Sequence, residues 1–303
     1  MNRIRKYSWL VIIMTIFSII LLAGCGGAGK ATLPDSKAPA TAEAGAPLTV
    51  KVLDVGQGDA ILIRTKDQVA LIDTGDVPAR DKLVAMLKSQ GISTIDKLII
   101  THPHADHIGG AAAVFDNFTV KQIYDSGQKT TSNLYKQYLT QIQKKNIPFT
   151  VVTAGTIIDL GNESTLKVLA PEKPFLSGND SDLNNNSVVA KLIYRGFSML
   201  LTGDAEKESE ERMLGGKDAA SLKSTLLKSG HHGSRTSSTM PFLQAVSPEA
   251  ALISLGANNE YHHPHPSTLK KYSEKKIKVY RTDTDGTLTV TTDGKTYTIT
   301  KER

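Results

Sequence analysis

Thr101-His102-Pro103-His104-Ala105-Asp106-His107-Ile108-Gly109-Gly110 is the stretch on which the reading of this 303-residue chain turns. The apolar run that leads into it, Lys97–Thr101, predicts a short buried strand. Residues i and i+2 leaving a strand point the same way, so His102 and His104 can share one metal. Asp106 and His107 follow on the turn, one hard oxygen and one imidazole suited to a second metal close by. A bridging carboxylate can hold two ions about 3.5–4 Å apart, the spacing of two-metal hydrolases. Gly109-Gly110 then lets a following helix approach closely.

The chain has eight histidines, and the others fall in two clusters. His231 and His232 lie in Ser229-Gly230-His231-His232-Gly233-Ser234, and His262, His263 and His265 in Tyr261-His262-His263-Pro264-His265-Pro266. Each cluster follows a predicted strand, Thr225–Lys228 and Ala250–Leu255, and strand-end loops are where α/β folds build sites. Further strands are predicted at Leu48–Val55, Ala60–Thr65, Gln68–Asp73, Thr150–Val152, Leu166–Ala170, Ser187–Tyr194, Ser198–Thr202 and Ile277–Arg281. A hairpin is expected from Thr287–Thr291 and Thr296–Thr300 across Asp293-Gly294. Helical spacing marks Asp81–Gln90, Asn133–Lys145, Glu206–Leu214 and Met240–Val246, with Lys270–Lys278 expected to be an exposed helix face. Early strands, interleaved helices and later strands predict an α/β fold of sheets packed together with helices outside, one domain over residues 48–303.

Outside that domain the composition changes. Arg3, Arg5 and Lys6 precede the apolar run Trp9–Leu22, which ends at Leu22-Ala23-Gly24-Cys25. Residues 1–25 therefore read as a secretory signal, whose apolar run Trp9–Leu22 is shorter than the roughly 20 residues that cross a bilayer comfortably. The junction resembles a bacterial lipobox, with Cys25, the chain's single cysteine, as the lipidation site. The expected location is the extracytoplasmic face of the cell membrane, held by a lipid anchor; an uncleaved anchor is the other reading. Residues 26–47, rich in Gly, Ala, Pro, Ser and Thr, read as a flexible tether. The net charge of +6 includes three cations before residue 25, so the remainder is too weakly basic to argue nucleic-acid binding from charge alone. A hydrophobic content of 40% excludes wholesale disorder, and one cysteine excludes a disulfide scaffold.

His102-x-His104-x-Asp106-His107 resembles the signature of the metallo-β-lactamase superfamily, which implies an αββα sandwich with a dinuclear site at one edge. Ile72-Asp73-Thr74-Gly75 is similar to that family's early Asp-Thr-Gly turn, and Leu200-Leu201-Thr202-Gly203-Asp204 to its bridging-aspartate strand. Leu53–Asp59, Lys228–Ser234, Tyr261–Pro266 and Thr282–Gly286 resemble the metallohydrolase domain of the ComEC-type DNA-uptake proteins. The superfamily's usual third histidine is missing between His107 and His231, where Asn184-Asn185-Asn186-Ser187 stands instead, as in the ComEC branch. The ions implied are two divalent metals, Zn or Mn, with the oxygen-richer set tilting toward Mn.

The resemblance implies His102, His104, Asp106, His107, Asp204, His231 and His263 as metal ligands. Asp106 is the ligand or the group that orients the nucleophile, and His231 fills the vacant ligand place or acts as general acid. Asp54, Asp59, Asp73, His232 and Asn184 are expected behind the ligands, with His262 and His265 there or facing substrate. Asp54 and Asp59 would line the pocket or orient His102. Lys228, Ser234 and Arg235 could contact a phosphate, or simply be solvated. The leading expectation is a membrane-anchored phosphodiesterase or nuclease. The alternatives are a cell-surface phosphocholine or teichoic-acid phosphoesterase and a non-catalytic binding module, with β-lactam hydrolysis less favoured. ComEC-type proteins carry a polytopic channel absent from the sequence after residue 25, so DNA import by this chain alone is not implied.

Overall fold

A computed structural model describes residues 47–303. The signal reading, the lipobox Cys25 and the tether up to residue 46 lie outside the described residues. The strands in chain order are β1 (Leu48–Val52), β2 (Ile61–Arg64), β3 (Val69–Ile72), β4 (Thr94–Ile95), β5 (Lys97–Ile100), β6 (Thr119–Val120), β7 (Ile123–Asp125) and β8 (Phe149–Val151). There follow β9 (Ile157–Asp159), β10 (Ser164–Ala170), β11 (Val189–Tyr194), β12 (Phe197–Leu201), β13 (Leu226–Lys228), β14 (Ala250–Ile253), β15 (Lys278–Arg281), β16 (Leu288–Thr292) and β17 (Tyr297–Lys301). One sheet runs β17-β16-β1-β2-β3-β5-β7-β8 and the other β15-β14-β13-β12-β11-β10-β9.

Alternating side chains make the layers. In β1 the buried residues Leu48, Val50 and Val52 alternate with half-buried ones, and in β16 Leu288, Val290 and Thr292 do the same. Their apolar faces meet Leu166, Val168, Leu192, Met199 and Leu201 of the second sheet in a shared core. The outer face of the first sheet packs on the helices α1 (Arg80–Ser89), α2 (Ala105–Ile108), α3 (Ala111–Asn117) and α4 (Asn133–Lys144) through Leu83, Leu87, Val114 and Tyr138. The outer face of the second packs on α5 (Lys207–Gly215), α6 (Met240–Val246) and α7 (Pro266–Glu274) through Met213, Phe242 and Tyr272. Helix, sheet, sheet, helix is the four-layer α/β sandwich expected.

Each sheet is half antiparallel and half parallel, and the parallel halves position the site. The β3, β5, β7 and β8 strands run parallel, as do β12, β13, β14 and β15. Asp73 leaves the carboxyl end of β3, His102 that of β5, Asp204 that of β12, His231 that of β13 and His263 that of β14. Ligands in open α/β sheets bind outside the carboxyl ends of parallel strands.

The differences from expectation are local. The strand expected at Leu48–Val55 ends at Val52; one further bond, Leu53 N–H to Ala60 O, continues the register with β2 before the chain enters a glycine turn. Lys270–Lys278 is not one helix: Pro266 opens α7 at its first turn, the helix ends at Glu274, and Lys278 begins β15. The short strands β4, β6, β7 and β9 were not anticipated from the residues, whereas α3 is the helix expected to follow Gly109-Gly110. Among the described residues, no helix is long and apolar enough to cross a membrane.

Candidate metal centre

The centre is organised by Asp204. Its Oδ2 lies 3.2 Å from His107 Nε2, 3.4 Å from His232 Nε2 and 3.9 Å from the Nε2 atoms of both His102 and His231. Asp106 Oδ2 is 3.2 Å from His232 Nε2 and 3.8 Å from His107 Nε2. His102 Nε2 and His104 Nδ1 sit 3.0 Å apart, a separation two nitrogens reach when each is about 2.0–2.1 Å from one ion. Asp106, His107, Asp204 and His232 form one cluster of donor atoms able to hold a metal ion.

The outer nitrogens are already committed. Asp73, fully buried, takes hydrogen bonds from Thr101 N–H (2.8 Å) and Thr101 Oγ1 (2.7 Å), and its Oδ2 lies 2.8 Å from His107 Nδ1. His232 Nδ1 is 2.8 Å from Ser254 O. Both rings therefore turn Nε2 inward, and neither buried Nε2 has a well-directed hydrogen bond. Carboxylate or carbonyl behind, imidazole between, open nitrogen in front is the usual arrangement of a metal-binding histidine.

Charge agrees with geometry. Burial opposes a charged His107, yet Asp204, Asp106 and Asp73 hold its pKa well above the ordinary range. His232 likewise overcomes burial and is pushed up to about 10, by Asp204, Asp106 and Asp59. Burial also opposes charge on Asp204, but His232, His107 and His231 hold it well below the usual carboxylate range. Converging carboxylates thus demand buried positive charge, which a divalent ion supplies better than two protonated rings. Burial, then His107, lowers His102, and burial lowers His104, leaving both neutral as ligands must be.

Backbone contacts bring the pieces together. A Cβ on Gly58 would stand 2.2 Å from Asp106 O, so only glycine allows the first turn to seat on the histidine motif. Gly110 plays the same part against Thr74 O, also at 2.2 Å. His231 and His232 take the unusual backbone φ values of 45° and 52°. Two consecutive left-handed residues reverse the chain and separate the rings, which meet at 68° with centroids 6.1 Å apart.

Other expected residues fall in varied places. His231 lies less inward than His232; its Nδ1 is 2.9 Å from Glu206 Oε1, and Glu206 also accepts from Asn184 Nδ2 at 2.9 Å. His263 lines the pocket, with its ring centroid 5.4 Å from His231, while His232, expected behind the ligands, stands in the inner donor set with Asp106, His107 and Asp204. Asp54 neither lines the pocket nor touches His102: it pairs with Lys82 at 3.5 Å and Arg303 at 3.2 Å. Asp59 stands behind His232 rather than His102, with Oδ1 at 3.5 Å from His232 Nδ1. Lys228 cannot reach a phosphate, because it is fully buried and paired with Asp59 Oδ2 at 2.9 Å. Ser234 is buried against Thr236, whereas Arg235 is exposed. The pocket above the donors, about 350 Å³, is lined by His104, Asp106, Asn184, His231, Tyr261 and His263, among others. Sequence reasoning gave no role to Glu206, Gln57 or Tyr261, although Gln57 and Tyr261 stand inside the quoted segments Leu53–Asp59 and Tyr261–Pro266 and Glu206 lies just beyond the bridging aspartate.

Fold and site together define a metal-binding α/β protein, and residues 53–257 match the model of the Metallo-beta-lactamase superfamily, to which the chain belongs. Members of that superfamily are generally metal-dependent hydrolases. ComE operon protein 3 of Bacillus subtilis (strain 168) is 33% identical over 79% of this chain and 32% of its own length. Competence protein ComA of Neisseria gonorrhoeae is 30% identical over 90% of this chain and 35% of its own. The chain spans about a third of the length of these curated relatives. The crystal structure of the metallo-beta-lactamase fold protein YhfI from Bacillus subtilis superposes with a TM-score of 0.54 at 14% identity, covering 80% of this chain and 99% of that one.

Proposed function

We propose that the chain is a phosphodiesterase, a nuclease by preference, working on two divalent ions and held by a lipid on Cys25 at the extracytoplasmic face of a membrane. The observation that carries the activity is the convergence of inward Nε2 atoms and Asp106 on Asp204 Oδ2. His102 and His104 would hold one ion, Asp106, His107 and His232 the other, and Asp204 would bridge them. Ions so placed polarise a phosphoryl oxygen and make water a competent nucleophile near neutral pH.

The remaining groups handle position and protons. His231, oriented by Glu206, faces the pocket and is placed to protonate the leaving oxygen. Arg235, exposed beside His265, offers a fork for a neighbouring phosphate. A competence protein among the relatives supports nucleic acid as the phosphodiester. The test is hydrolysis of bis(4-nitrophenyl) phosphate and of oligonucleotides by protein loaded with Mn²⁺ or Zn²⁺. Activity abolished by chelation, restored by metal and lost in Asp106→Ala supports the reading; wild-type activity in Asp106→Ala overturns it.

A further inference from the structure

A row of rings forms one wall of the pocket mouth. Tyr261 is 53% exposed and stacks on His263, with centroids 5.7 Å apart and planes at 27°. His263 meets His265 edge-on at 4.9 Å, and His265 Nε2 lies 3.4 Å from an Arg235 guanidinium nitrogen. The loop is fixed by Asn259, whose Nδ2 donates to Gly256 O at 3.0 Å and His263 O at 2.7 Å while its Oδ1 accepts from His263 N–H at 2.9 Å. His263 is more than nine-tenths buried, and its Nδ1 has no hydrogen-bond partner.

Tyr261 also lines a second, adjoining pocket of about 260 Å³, bordered by Asp76, Asn259 and Glu260 and sharing Gln57 and Asp106 with the first. Carboxylates there repel a phosphate but accept hydrogen bonds from amino groups. An exposed aromatic ring, fixed from behind by a second ring, is a stacking surface whose ordering entropy is already spent.

We propose that the Tyr261–His263 stack is a subsite for an unpaired nucleobase, which lies on the open face of Tyr261 while the adjoining phosphate reaches the donors around Asp204. This rests on the phosphodiesterase reading and narrows it to single-stranded nucleic acid, since bases in a duplex have both faces covered. Exocyclic amino groups would find acceptors in Asp76 and Glu260, and the backbone would continue past Arg235.

Binding tests this without turnover. The full chain in detergent micelles, stripped of metal by a chelator, is titrated at low salt with a labelled single-stranded oligodeoxynucleotide and with its abasic counterpart. The wild type should prefer the base-bearing strand by about tenfold, from one base–aromatic stack. Tyr261→Ala should lose that preference and Tyr261→Phe keep it, and 2-aminopurine in the strand should be quenched by the wild type and not by the alanine variant. An undiminished preference in Tyr261→Ala overturns the subsite, as does a variant that loses phosphocholine binding while holding the strand normally. Wild-type turnover of bis(4-nitrophenyl) phosphate judges the parent reading separately. Turnover without a Tyr261-dependent preference sinks the subsite alone, and a preference without turnover supports the subsite and sinks the phosphodiesterase.

Discussion

Removing the Lys228 ammonium should destabilise the domain far more than removing the whole ion pair. Lys228 Nζ sits 2.9 Å from Asp59 Oδ2 and donates to Ser229 O at 3.0 Å, and neither side chain of the pair is more than 1% exposed. Asp59 Oδ1 makes no hydrogen bond and stands 3.5 Å from His232 Nδ1, so the lysine is the carboxylate's nearest compensation. Lys228→Met keeps the aliphatic stem and strands a buried anion, at a cost of about 3–5 kcal/mol. For a domain of this size that corresponds to a fall in Tm of roughly 10 °C. Asp59→Asn should cost a comparable amount by stranding the cation. The double variant, with neither charge, should return to within about 1 kcal/mol of the wild type. The assay is urea denaturation of metal-free protein, followed by circular dichroism and tyrosine fluorescence together. A single variant that loses less than about 1 kcal/mol, or a double variant that loses the sum of both, would refute the reasoning.

Three further outcomes follow from the same structure. Burial raises the Asp125 carboxyl to about 6 against the hydrogen bond from Gly127 N–H and the contact with Tyr138 Oη. Its folded value exceeds its unfolded one, so its contribution is full below about pH 4 and is lost as pH rises through 6, about 3 kcal/mol in all. Asp125→Asn should therefore be near neutral at pH 4 and stabilising at pH 8; equal effects at both, by denaturant titration, would contradict this. Gly110→Ala places a methyl 2.2 Å from Thr74 O and should cost about 1–3 kcal/mol or more, read as a drop in Tm. Cys25→Ala should release the protein from membranes or leave it unprocessed on fractionation; membrane retention at the normal processed size would end the lipid-anchor proposal.

Much of the fold was legible because its layers are made by alternation. Leu48, Val50 and Val52 announce a half-buried strand, and Gly109-Gly110 announces a helix that must come close. The metal motif was legible because its donors are local: His102, His104, Asp106 and His107 share one strand exit and one turn. What the sequence could not show is direction at a distance. Nothing in Gly230-His231-His232-Gly233 says that both histidines adopt left-handed backbone, yet that reversal puts His232, not His231, against Asp106. Lys228 reads as a surface cation by type, and only the approach of Asp59, at the end of the glycine turn, makes it a buried ion-pair partner. Asp54 stands only five positions before Asp59, yet it pairs instead with the last arginine.

Metal content measured on variants tests the central claim most directly. After loading with Mn²⁺ or Zn²⁺ and removal of excess, the wild type should retain two ions per chain. His232→Ala, which removes an inward Nε2 from the Asp106–Asp204 cluster, should lose at least one, and His263→Ala should keep both. Full occupancy in His232→Ala, with loss in His263→Ala, would contradict the centre as the structure draws it.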